Sequence, residues 1–167
     1  MHIFGISLSL YSTWINPETG KAYGNDFKWS SFTKDGKEFL VIHTPKAHEF
    51  AARRWGSENF TENVPAGIEV EDGGGSGTAH SHPETRVFFP DIMSPVSSGA
   101  SKFTELSLAL LEDSGWYEVH DKYVEECEWG NIPNFGTMNP SDYPEHYFCS
   151  EETMHQQQCF YDLSAPA

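Results

Sequence analysis

His82-Pro83-Glu84-Thr85-Arg86-Val87-Phe88-Phe89-Pro90-Asp91-Ile92-Met93-Ser94-Pro95 is the stretch on which the reading of this chain turns. Met93 falls eleven residues after His82 (93 − 82 = 11), in a proline-flanked turn. A histidine followed by a buried methionine turn completes the zinc site of one large group of metal enzymes, so His82 reads as a metal ligand and Met93 as the turn beneath it. Just upstream, Gly73-Gly74-Gly75-Ser76-Gly77 cannot hold regular structure and predicts a surface loop that delivers the histidine. These glycines lack the lysine of a phosphate cradle. Taken singly, His82 reads as a surface-loop histidine, with His80 an equally simple candidate, and Met93 reads as core filler.

The other half of such a site is sought at the start of the chain. Two histidines four apart on a helix chelate one metal, with the glutamate between them acting as general base. Met1-His2-Ile3-Phe4-Gly5 matches the tail of a His-Glu-x-x-His-x-x-Gly helix, with His2 as its second histidine and Met1 as an internal methionine of the motif. In the common metzincin spacing the third ligand lies six residues further on, which here is Leu8, a residue with no donor atom. The third ligand must therefore come from elsewhere, and His82 is the choice. His48-Glu49-Phe50-Ala51-Ala52 is a decoy, because a zinc-binding helix would need histidine at position 52; it reads as a solvated helix face.

Composition narrows the classes. The 167 residues suit one domain with an ordinary hydrophobic core. Ten Lys and Arg against 25 Asp and Glu give a net charge of −15, which repels phosphate backbones and anionic lipid headgroups and excludes nucleic acid as a partner. No stretch approaches the roughly 20 apolar residues that span a bilayer, and the start lacks the regions of a signal peptide. Cys127, Cys149 and Cys159 form an odd set without a C-x-x-C pair. They read either as three free thiols or as part of a disulfide set, and leave the compartment open.

Along the chain, residues 2–10 predict the end of a buried helix entering a loop at Ser12. Pro17, Gly20, Gly24 and Gly36, interleaved with Trp29 and Phe32, predict turns with short strands, and Phe39-Leu40-Val41-Ile42 predicts a strand. Thr44-Pro45 reads as a cap and first helical position, for a helix running to Trp55 and stopping at Gly56. A second helix is expected from about Ser101 to Asp113-Ser114-Gly115, with Phe103, Leu106, Leu110 and Leu111 on one face and Gly115 as its left-handed cap. Beyond Glu118 irregular structure is expected, since Pro133, Pro140 and Pro144 break any helix.

Residues 9–23 (SLYSTWINPETGKAY), 43–56 (HTPKAHEFAARRWG), 67–95 (GIEVEDGGGSGTAHSHPETRVFFPDIMSP) and 101–119 (SKFTELSLALLEDSGWYEV), in this order, resemble the region after the active-site helix of the leishmanolysin zinc metallopeptidases. The resemblance covers residues 1–130 and is most specific over 66–119. It implies an α+β, metzincin-like C-terminal subdomain, mainly helices and irregular loops with few short strands. The family's G-x-x-x-S-H-W-E-x-R and E-L-M segments map His82 onto the third zinc ligand and Met93 onto the Met-turn, with His2 as the second ligand. Zinc as cofactor, endopeptidase activity on protein or peptide substrates, and an extracellular or cell-surface location follow from the same resemblance. So does membrane attachment, through parts outside this sequence only.

Residues 131–167 then resemble the start of the cysteine-bearing C-terminal region. Some positions depart from the family. Pro83 replaces a tryptophan, which removes no ligating atom. Ser57 replaces a cysteine, and Asn131-Ile132-Pro133 replaces a Gly-Cys, so two family disulfides lack support. The first histidine and the catalytic glutamate are not in the sequence, so the chain as given is expected to hydrolyse nothing. A non-catalytic binding or adhesion module and a decayed gene product are the alternative readings.

Overall fold

The structure, a computed structural model, describes residues 4–34, 37–75, 77–96, 101–127 and 129. His2, Cys149 and Cys159 lie outside the described residues. Among the described ones, two small antiparallel sheets and three helices make a mixed architecture compatible with α+β. No described helix is long and apolar enough to cross a membrane.

Of the expected helix end, the described residues hold Phe4 in a 3-10 turn, and residues 8–10 form a further turn. Gly5 takes a φ of +96°, which ends any helix there, and Phe4 is left 47% exposed. A Cβ at Gly5 would lie 2.1 Å from the Trp116 ring, so only glycine fits. Strands β1 (Ile15–Asn16) and β2 (Lys21–Ala22) form a tight pair. Strands β3 (Trp29–Lys34) and β4 (Lys37–Ile42) follow as a hairpin, with Phe32 opposite Phe39 and their rings stacked at 5.2 Å. The predicted Phe39–Ile42 strand is the inner part of β4, whose Val41 and Ile42 are fully buried. Strand β5 (Ile68–Glu69) joins its other edge.

Helix α1 (Pro45–Trp55) runs as expected and stops at Gly56 with φ +82°. Ala47, Phe50, Ala51 and Trp55 make its buried stripe, while His48 and Glu49 are exposed, as a solvated face requires. Helix α3 (Glu105–Asp113) starts later than Ser101, because the Thr104 hydroxyl accepts from the Leu106 amide and fixes the first turn there. Its Leu106 and Leu110 are buried against α1, and Gly115 follows at φ +70°. The short helix α2 (Thr85–Phe88) lies between the histidine loop and the Met93 turn, and its Phe88 packs on Phe50 and Trp55.

Arg53 bridges the two long helices through Glu105 at 2.7 Å, with both side chains more than half exposed. Exposed pairs contribute little. Arg53→Ala is expected to change stability by less than about 1 kcal/mol in urea unfolding. Arg54 has a different role. Its guanidinium donates to the carbonyls of Cys127 at 2.8 Å and of Trp129, and lies over the rings of Phe50 and Trp55, tying the end of the described chain to α1.

Candidate metal centre

The glycine loop does what its composition predicts: residues 73–75 bend, residues 77–80 turn, and the loop returns alongside its own start. The His80 amide donates to the Glu71 carbonyl and the Glu71 amide to the His82 carbonyl, both at 2.8 Å. His80 itself takes a φ of +60°, an uncommon conformation for a residue with a Cβ. Pro83 is buried and bridges to Val70, so the proline that stands for a tryptophan is packed into the loop's base.

His82 and Met93 meet. The His82 Nδ1–H donates to the Met93 carbonyl at 2.5 Å, since a carbonyl oxygen can only accept. That bond fixes the tautomer of the neutral ring, with the lone pair on Nε2. The Met93 side chain is 1% exposed.

The turn is held by a residue that sequence reasoning did not single out. Buried Asp91 accepts from the Met93 amide at 2.7 Å through Oδ1, from the Ser107 hydroxyl at 2.7 Å and from the Thr104 hydroxyl. One carboxylate thus couples the methionine turn to the first turn of α3. Burial pushes its pKa above the ordinary carboxylate range, against the pull of those hydrogen bonds. The local signal was present: an aspartate whose side chain caps the amide two residues on is an Asx-turn. The partners on α3 carry no such signal.

Asp113, at the end of α3, is the second such residue. It accepts from the Thr44 hydroxyl at 2.6 Å and from the amides of Lys46 and Ala47 at 2.9 and 2.8 Å. The Thr44 hydroxyl therefore does not cap α1; it donates to the aspartate that does. Burial raises the Asp113 pKa as well.

Leu8, where the common spacing would put a ligand, is brought to the same place. Its amide donates to Ser81 Oγ at 3.1 Å, directly beside His82. The chain therefore leaves position 8, travels through 73 residues, and comes back with a histidine next to it.

Other metal-type groups are near. Glu71, Asp72 and Glu84 bring carboxylate oxygens within 4.8 Å of one another. These are oxygen donors, and the set is engaged internally: Glu71 accepts from the Thr85 hydroxyl at 3.2 Å, and Glu84 faces the Arg86 guanidinium at 4.0 Å. Glu84 is therefore turned onto Arg86, which also pairs with Glu69 at 2.6 Å. Cys127 is a buried free thiol, its pKa pushed up to about 11 chiefly by burial, so it is protonated at neutral pH and unsuited to a nucleophile's role.

The leishmanolysin family model matches residues 25–164. The chain belongs to the leishmanolysin family. This leishmanolysin-family chain is 34% identical over 102 residues to the leishmanolysin-like peptidase of Caenorhabditis elegans, covering 59% of the chain and 15% of that protein. It is 31% identical over 153 residues to the leishmanolysin-like peptidase of Drosophila melanogaster (78% and 22%). With the mouse ciliated left-right organizer metallopeptidase it shares 30% over 145 residues (83% and 20%). The chain thus spans about a fifth of the length of the curated relatives it matches. The family is one of metallopeptidases.

Proposed function

We propose that this chain is the part of a zinc metalloendopeptidase that supplies the second and third metal ligands, His2 and His82, on a metzincin-like scaffold with Met93 as the Met-turn. The observation that carries the reading is the Nδ1 bond from His82 to the Met93 carbonyl, which orients a histidine for a metal as outer-shell partners do. The neighbouring Leu8 amide adds to it, since it puts His82 beside the point where a shorter-spaced third ligand would fall. Zinc, when bound, acidifies its water and polarises the scissile carbonyl of a protein or peptide substrate. The chain's own part is to hold the imidazole in one tautomer, through Met93 and through the Asp91 carboxylate behind it.

Among the described residues Glu84, the carboxylate nearest His82 in sequence, is turned onto Arg86 and is not assigned the general-base role, so 1–167 alone is expected to cleave no peptide bond. An extracellular or cell-surface setting accompanies the reading.

Zinc affinity measured by competition with a chromophoric chelator tests it. His82→Ala is expected to weaken binding at least about tenfold, as loss of one of few ligands should, while His80→Ala leaves it unchanged. Equal losses in both variants would remove His82 from the ligand set. Zinc-dependent casein cleavage by purified 1–167, abolished in His82→Ala, would show the inactivity to be wrong.

A further inference from the structure

Glu58-Asn59-Phe60-Thr61-Glu62 follows helix α1 and has no part in the histidine loop or the methionine turn. An acceptor for an N-linked glycan is an asparagine with serine or threonine two residues on and no proline between. Of the seven asparagines in the chain, only Asn59, in Asn59-Phe60-Thr61, meets both conditions. Asn16, Asn25, Asn63, Asn131 and Asn134 lack the hydroxyl residue, and Asn139-Pro140-Ser141 has it but is barred by its proline. A three-residue match arises easily by chance, so the decision rests on where the fold puts it.

The fold puts it on the outside. Gly56, at φ +82°, turns the chain off the end of α1 into a 3-10 turn over Ser57–Asn59. Phe60 then runs extended, at φ −111° and ψ 153°, and packs against the core while half-buried itself. Around this anchor the chain lies in solvent: Ser57, Glu58, Thr61, Glu62 and Asn63 are all exposed. Thr61 and Val64 close a short turn, amide to carbonyl in both directions at 3.0 and 3.1 Å, and the Thr61 hydroxyl accepts from the Val64 amide at 3.2 Å. The hydroxyl that the acceptor pattern requires is therefore presented at the surface, in a loop of the kind such acceptors occupy.

We propose that Asn59 carries an N-linked glycan and that the turn over residues 57–64 is an outer face of the protein. The donor is an oligosaccharide joined to a lipid diphosphate. The side-chain amide nitrogen of Asn59 forms a bond to C1 of the first sugar as the bond from C1 to the diphosphate oxygen breaks. The lipid diphosphate leaves with that electron pair, and the nitrogen gives up one proton; nothing is oxidised or reduced. A bulky, hydrated glycan belongs on the surface, so any further part of the protein packs against other faces. The inference rests on the extracellular setting read above, because the transfer takes place in the secretory lumen.

The test gives 1–167 a cleavable secretory leader in cultured insect cells. Glycans are released enzymatically in heavy-oxygen water, which marks each former glycan site as a heavy aspartate in the peptide map. Transfer precedes folding, so chain retained in the cell is read together with secreted chain, and a variant that folds poorly still reports. Asn59 is expected to be marked in the wild type and in Thr61→Ser, which keeps the hydroxyl, and to lose the mark completely in Thr61→Ala. Leader-cleaved wild type with Asn59 unmarked, or a mark that persists in Thr61→Ala, would overturn the proposal. The secreted chain should unfold at the same urea midpoint before and after glycan removal, and a midpoint that rises on removal would overturn the outer-face assignment. Zinc affinity of the same leader-cleaved chain separates the two readings: zinc bound with Asn59 unmarked removes the glycan site alone, and Asn59 marked without zinc affinity removes the metal site alone.

Discussion

Asp91→Ala is expected to lower stability by about 3–5 kcal/mol, because three buried donors lose their acceptor at once and each one left unsatisfied costs about 1–3 kcal/mol. The Met93 amide and the Thr104 and Ser107 hydroxyls all end on this carboxylate. The effect should appear as a lower urea midpoint at an unchanged slope, with zinc affinity falling too as the carbonyl that orients His82 loosens. A loss below about 1 kcal/mol would mean that something else holds the turn. pH supplies a second reading. The folded-state pKa of Asp91 is raised, so the fold binds this proton more tightly than the unfolded chain does. Its contribution is fully present below the ordinary carboxylate range and is lost as pH rises through the raised value. The stability advantage of the wild type over Asp91→Asn should therefore shrink as pH climbs from about 4.

Asp113→Ala comes next, at about 2–4 kcal/mol, combining the loss of a helix cap with a stranded buried hydroxyl. Since its partners are the first amides of α1, the loss should be local before it is global. Hydrogen exchange at Lys46 and Ala47 is expected to accelerate more than exchange at the centre of α3. Uniform acceleration would show that the contact merely adds to overall stability. Asp113→Asn, keeping one carbonyl oxygen, should lose less than alanine does.

Helix α1, helix α3 and strand β4 were legible because their signals are local: Pro45 at the first turn, Gly56 and Gly115 past the ends, and a leucine face of 3.6 period. Spacing and family resemblance singled out His82 and Met93, but not the hydrogen bond that joins them. At the start of the chain the described residues keep only the close of the expected helix, Phe4, because the backbone angle of Gly5 ends it there. Asp113 was invisible because its partners lie 66 to 69 residues away, and nothing in Glu112-Asp113-Ser114 distinguishes a tertiary cap from a solvated helix end. The contacts of Leu8 and Trp29 with the histidine loop were hidden for the same reason. Leu8 and Trp29 meet the histidine loop only after the chain has returned to it.

That return has a kinetic side. The bond between the Leu8 amide and Ser81 closes a 73-residue excursion, and bringing its ends together costs, on the scaling (3/2)RT ln n, about 4 kcal/mol of chain entropy before any local reward is collected. The hairpin of β3 and β4 and the helix α1 lie inside the excursion and can form from contacts between near neighbours, whereas the histidine reaches its place only when the loop has shut. Formation of the hairpin and α1 should therefore precede the joining of His82 to the opening segment, and an ion that grips both ends would act as the clasp of a nearly finished fold, slowing its unfolding more than it speeds its folding.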